Sequence, residues 1–143
     1  MTAEAELCFL DTNVWLYALA RSSPPQEARK QQAAASLLSQ PQRIALSVQI
    51  VSKICRNVLR RGHVGEQQIR ELIETLFKRC EIVELSHDVL LQASNLRERY
   101  SLSFWDSLIV SAALASNSSI LYSEDMQDGL VVADTLRIVN PFK

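Results

Sequence analysis

The stretch ELCFL at residues 6–10, running straight into Asp11-Thr12-Asn13, decides the fold. An unbroken apolar run of this length suits a strand covered on both faces, whereas a strand with one wet face would alternate. Asp11-Thr12-Asn13 is turn and helix-cap chemistry, and residues 14–20 read as a helix. The same order begins again near the far end of the chain. Residues 120–122 (ILY) are strand-like and lead directly into Ser123-Glu124-Asp125. Two short apolar strands, each closing on an acid, are the frame for everything between them.

Between them, helical and strand-like segments alternate. Ser22-Ser23-Pro24-Pro25 breaks the first helix and starts a second, with Ser23 as N-cap and Pro24 in the first turn. That helix runs to about Ser39, Pro41 stops it, and residues 43–46 form a second strand. Ser47 caps a helix over 48–61, in which Val48, Val51, Cys55, Val58 and Leu59 recur at helical spacing. Gln49, Lys53, Arg56 and Arg60 take its other face, and Gly62 ends it. Ile69, Leu72, Ile73 and Leu76 mark an amphipathic helix over 65–79. Residues 80–85 alternate as a third strand. Helices from Ser86 to about Tyr100 and from Ser103 to about Ala115 follow, and Asn117-Ser118-Ser119 closes the last of them. Residues 135–139 are the final strand. Strands joined through helices require crossovers, hence a mainly parallel sheet with helices on both faces, a three-layer α/β/α sandwich.

Composition narrows the class. The chain has 143 residues, a size that suits one domain over 1–143. With 48% hydrophobic residues it is not a disordered chain, and with three glycines and four prolines it lacks the turns of an all-β fold. A net charge of -1 excludes a polybasic binding tail, so any nucleic-acid contact must come from a local patch. Cys8, Cys55 and Cys80 are odd in number and lack CxxC spacing, which reads as buried thiols of a reducing compartment. No basic segment leads into an apolar one near the start, and the longest strongly apolar run, residues 108–115, is too short to span a bilayer. The expectation is a soluble cytoplasmic protein without a membrane partner.

In a parallel sheet, ligands bind at the carboxyl ends of the strands. That rule selects Asp11 and Asp125. Asp106, three residues after Ser103, starts a helix that can join them. Each acid alone is as well explained by capping. Together, three carboxylates in one pocket repel one another and call for a cation. Mg²⁺, or Mn²⁺, is the usual partner of such a set, and its chemistry is in-line attack of water on a phosphodiester.

The residues that carry this chemistry resemble the motifs of the PIN domain family. Leu10-Asp11-Thr12-Asn13-Val14 is similar to the first motif, and residues 46–50 (LSVQI) resemble the approach to the second. Residues 104–113 (FWDSLIVSAA) resemble the third and residues 121–129 (LYSEDMQDG) the fourth. The resemblance spans nearly the whole chain in the expected order. It implies a metal-dependent ribonuclease, nearest in kind to the VapC toxins of toxin–antitoxin pairs, which usually dimerise and are silenced by an antitoxin. By that resemblance Asp11, Asp106 and Asp125 are the catalytic and metal-binding carboxylates. Thr12, Ser123 and Asp128 support them, and Asn13 is structural.

One position departs from the pattern. The family places a Glu four residues beyond the Gln of S-x-Q, and here that residue is Lys53, with no other acid between Arg43 and Gly65. An ammonium in place of a carboxylate changes the charge of the site by two units, and it can itself neutralise the aspartates. The expectation is weak metal binding and weak or lost activity. A non-catalytic PIN module that binds an antitoxin or RNA is the rival reading.

Arg56 and Arg60 share a helix with Lys53 and suit the RNA backbone, although cations near a helix C-terminus are also expected without any ligand. Trp15 and Trp105 flank candidate acids and suit either base stacking or packing. His63 and His87 lack partners at metal spacing and read as surface residues. A haloacid-dehalogenase-like phosphatase would need an Asp where Asn13 stands, and no GxxxxGK[ST] loop is present. The alanine-rich face of the second helix (Ala33, Ala34, Ala35, Leu37, Leu38) fits the core, a second protomer or an antitoxin helix equally well.

Overall fold

The computed structural model describes residues 6–20, 24–40 and 42–143. Six strands make one sheet: β1 (Leu7–Leu10), β2 (Arg43–Ser47), β3 (Glu81–Val83), β4 (Ile120–Tyr122), β5 (Val131–Val132) and β6 (Leu136–Val139), in the order β3-β2-β1-β4-β6-β5. Every neighbouring pair is parallel except β5 with β6. All four residues of β1 are buried, as its continuous apolar run requires.

Among the described residues six α-helices connect the strands: α1 (Thr12–Leu19), α2 (Ala28–Ser39), α3 (Val48–Arg60), α4 (Glu66–Arg79), α5 (His87–Arg99) and α6 (Phe104–Ala115). From β1 the chain moves to β2 and then β3 on one side. From β3 it returns across the sheet to β4 on the other side of β1. Right-handed crossovers in opposite directions place their helices on opposite faces. α1 packs on α2 and α3, and α3 on α4, whereas α5 and α6 pack on each other and α6 meets β2. The expected α/β/α architecture is therefore the one observed.

Helix starts follow the caps read in the sequence. The Oγ of Ser47, Ser86 and Ser103 accepts from the backbone N–H of Ile50, Val89 and Asp106 respectively. Asn117, at φ 62°, closes α6 in the left-handed conformation that Asn tolerates. The expected cap at Ser23 and stop at Pro41 lie outside the described residues. The segment after Pro24 begins as a 3₁₀ turn, Pro25–Glu27, before α2 sets in. β3 is shorter than the alternation over 80–85 suggests, because it is an edge strand paired on one side only. β5 is an addition. It forms a hairpin with β6 through the three residues 133–135, in which Ala133 and Asp134, at φ 51° and 62°, are the left-handed centre of a turn closed by Thr135 N donating to Val132 O at 3.2 Å.

Candidate functional site

Because β1, β2 and β4 run parallel, the chain leaves all three at the same edge of the sheet. The β1–β4 boundary is where the strand order reverses, the switch point at which open α/β sheets form a crevice. Leu10 is in register with Tyr122, so the next residues, Asp11 and Ser123, emerge side by side. The ladder continues past the strands, with Asp11 N donating to Tyr122 O at 2.9 Å and Ser123 N to Val139 O at 3.0 Å. α6 ends just before β4, so its first turn, carrying Asp106, returns to this same edge.

Asp11 is the organising residue. Its Oδ1 accepts from Thr12 N at 2.7 Å, capping α1, and its Oδ2 accepts from Ser123 Oγ at 3.0 Å. Ser123 is fully buried, and its Oγ also accepts from Met126 N at 3.3 Å. Both carboxylate oxygens are thus aimed before any ligand arrives. Burial pushes the Asp11 carboxyl above the usual range. Hydrogen bonds from Thr12 and Ser123 pull it back, the Asp106 carboxylate pushes it further up, and the Lys53 ammonium opposes that. The capping role read for Asp11 is real, and the residue also feels a carboxylate and an ammonium across the crevice.

Asp125 sits in the loop after β4 and is exposed, with its Oδ2 accepting from Asn13 Nδ2 at 3.1 Å. Asn13 is in the first turn of α1, so this bond fixes Asp125 over the residues that follow Asp11. Asp128 acts differently. Its Oδ1 accepts from Asn140 N at 2.8 Å, which ties the loop to the segment after β6. Asn140 Nδ2 reaches Glu124 O, and Lys30 of α2 pairs with the Glu124 carboxylate. Lys30 to Glu124 is a contact between helix and loop that no sequence pattern announces.

Thr12 Oγ1 is buried without a hydrogen-bond partner, as are both side-chain amide atoms of Gln49. Both residues stand in the first turns of helices at the carboxyl edge, α1 and α3. Orphaned polar atoms are costly unless a ligand or water meets them, so they mark where polar ligands are expected. Lys53, one turn along α3 from Gln49, is half-buried; Arg56 and Arg60 are exposed on the same helix. Trp15 is buried, whereas Trp105 is 58% exposed beside Asp106. His63 and His87 are exposed. Cys8, Cys55 and Cys80 are unpaired, and burial pushes the Cys8 and Cys80 thiols up to about 11.

Asp11 has the pre-aimed oxygens that a cation needs, but the set as a whole does not fit a divalent ion. Among the described residues no three His, Cys, Asp or Glu side chains gather closely enough to hold one. The α3 position expected to bring a further carboxylate brings the Lys53 ammonium, whose charge acts on Asp11.

A parallel sheet with acids at the carboxyl ends of β1 and β4, and a third acid at the start of α6, defines an α/β protein of the PIN type. The PIN domain pattern matches residues 8–128, and the chain belongs to that family. Comparison with curated proteins gives no match. Among solved structures, a toxin–antitoxin complex from Klebsiella pneumoniae is 17% identical over 94% of this chain and 97% of that one, with a TM-score of 0.64. VapC20 of Mycobacterium tuberculosis, described as a sarcin–ricin-loop-cleaving toxin, is 19% identical over 82% and 89% of the chains, with a TM-score of 0.63. VapBC2 of Rickettsia felis, bound to a DNA fragment from its promoter, is 19% identical over 94% and 99%, with a TM-score of 0.61. At these identities the likeness is one of fold. No helix among the described residues is long and apolar enough to cross a membrane.

Proposed function

We propose that this chain is an RNA-directed PIN domain of the VapC toxin kind, with a nuclease site that Lys53 leaves weak in metal binding and in cleavage. The observation that carries this reading is the placement of Lys53, half-buried on α3 one turn beyond Gln49, at the position where the family pattern has Glu; its charge is the smallest of the influences on the Asp11 carboxyl. Asp11, Asp106 and Asp125 are the acids of the site. Thr12 and Ser123 aim Asp11, and Asn13 aims Asp125. Asp128 holds the loop that carries Asp125. Arg56 and Arg60 supply cationic contacts to the RNA backbone. The solved toxin–antitoxin relatives support an antitoxin as partner, and the family habit supports a homodimer.

In this family Mg²⁺ or Mn²⁺ activates water against the phosphodiester. In this chain the ammonium supplies part of the positive charge that such an ion would bring, and an ion entering beside it meets repulsion. The same observation favours the second reading, a non-catalytic module that binds RNA or an antitoxin. A cleavage assay on single-stranded RNA with Mn²⁺ separates them. The parent protein should cleave slowly, and Lys53→Glu should cleave at least about tenfold faster. A Lys53→Glu protein that folds and gains no cleavage contradicts the nuclease reading and leaves the binding module.

A further inference from the structure

The first two residues of α6 are aromatic and turned to solvent, Phe104 52% and Trp105 58% exposed. They are not loosely placed. Their rings meet edge to face, with centroids 5.1 Å apart at 83°. The Arg97 guanidinium lies over the Phe104 ring at 4.7 Å, and Arg97 also donates to Ser107 Oγ at 2.7 Å. Ser107 Oγ in turn donates to Phe104 O at 2.6 Å. The ring pair is therefore braced from beneath by a cation and by its own helix turn. Asp106 is the very next residue.

Leaving two large rings wet but rigid costs stability, so the pair asks for an occupant. Its size argues against a protein partner. Half of two aromatic side chains is roughly 200 Å², far below the roughly 800 Å² per partner of a stable interface. Ser101 and Ser103, just before the pair in the chain, are exposed and polar, so the patch does not extend along the segment that leads into α6. A single planar group is the right size for it.

We propose that Trp105, held by Phe104 and Arg97, is the platform on which one base of a single-stranded RNA stacks, placing the adjoining phosphate beside Asp106 and Asp11. This rests on the RNA-directed reading above and names how the strand is held. Stacking tolerates any base, so the platform sets position along the strand more than sequence.

The test is binding in EDTA, where cleavage plays no part. A Trp15→Phe protein leaves Trp105 as the sole tryptophan. Its fluorescence should be quenched by a single-stranded RNA oligomer. Trp105→Ala should weaken binding roughly 5- to 100-fold, whereas Trp105→Phe should keep most of it and Trp105→Leu should not. Unchanged affinity in Trp105→Ala overturns the proposal. So does a change of oligomeric mass in Trp105→Ala with RNA affinity intact, which would assign the rings to a second copy of the chain. The two readings fail separately. If Lys53→Glu gains no cleavage while Trp105→Ala still loses RNA, only the nuclease reading falls. If Lys53→Glu cleaves and Trp105 is indifferent, only the platform falls.

Discussion

At the scale of single residues, Asp11 is a carboxylate kept under strain by burial and tamed by hydrogen bonds. Its carboxyl titrates above the usual range in the folded protein. The folded state therefore holds a proton that the unfolded chain releases, and this contribution to stability is complete below the unfolded value of about 4. It is lost as pH rises through the folded value, so at neutral pH the ionised Asp11 is a liability. Asp11→Asn should raise the melting temperature at pH 7 by a few degrees, on the order of 2–4 °C. The gain should vanish near pH 3.5, as thermal melts at the two pH values would show. An equal gain at both would mean that charge is not the cause. The strand-end position of Asp11 and the anomaly of Lys53 were both legible in the sequence, because a short apolar run, a capping Ser and a helical period fix their registers. The long-range contacts around them were not. Asn13 reaching Asp125, and Lys30 reaching Glu124, join positions far apart in the chain, and no local pattern encodes such a meeting.

At the scale of elements, helices with Ser caps and amphipathic periods were readable nearly to the residue. The β5–β6 hairpin was not, because its turn uses Ala133 and Asp134 where Asn-Gly would have announced it. Both residues are left-handed, and Ala pays for that conformation without a compensating side-chain bond. Replacing the pair by Ala133→Asn with Asp134→Gly should stabilise the protein by about 1 kcal/mol, read from the midpoint of urea unfolding. Since Ala133 N donates to the Tyr100 hydroxyl through the backbone, that bond survives the change. Destabilisation by the double variant would show that the turn is not under the strain its angles imply. Trp105 illustrates a different limit. Its identity and its place beside Asp106 were visible in the sequence, but its exposure and the bracing by Arg97 were not, since an aromatic residue at the start of a helix is equally at home in a core.

At the scale of the whole molecule, the last described segment holds the candidate site together from behind. Phe142 is buried, its ring meeting Tyr17 of α1 edge to face at 5.1 Å, and Arg29 of α2 donates to its carbonyl at 2.9 Å. Lys30 lies 5.8 Å from the same ring and pairs with Glu124 beside Asp125. Phe142→Ala should cost about 3 kcal/mol, at roughly 2–4 °C of melting temperature for each, and calorimetry would register it. A shift under 1 °C would mean that the tail contributes nothing to the fold. The parallel sheet, its crossovers and the edge at which the acids emerge follow from the alternation of strands and helices. Among the described residues the acids do not gather closely enough to form an ion-binding set, and the charge that meets them at that edge includes Lys53. Calorimetric titration with Mn²⁺ puts this to the test most directly. The parent protein should take up Mn²⁺ at least about tenfold more weakly than Lys53→Glu; equal affinity in the two would contradict the claim that the ammonium stands in the metal's place.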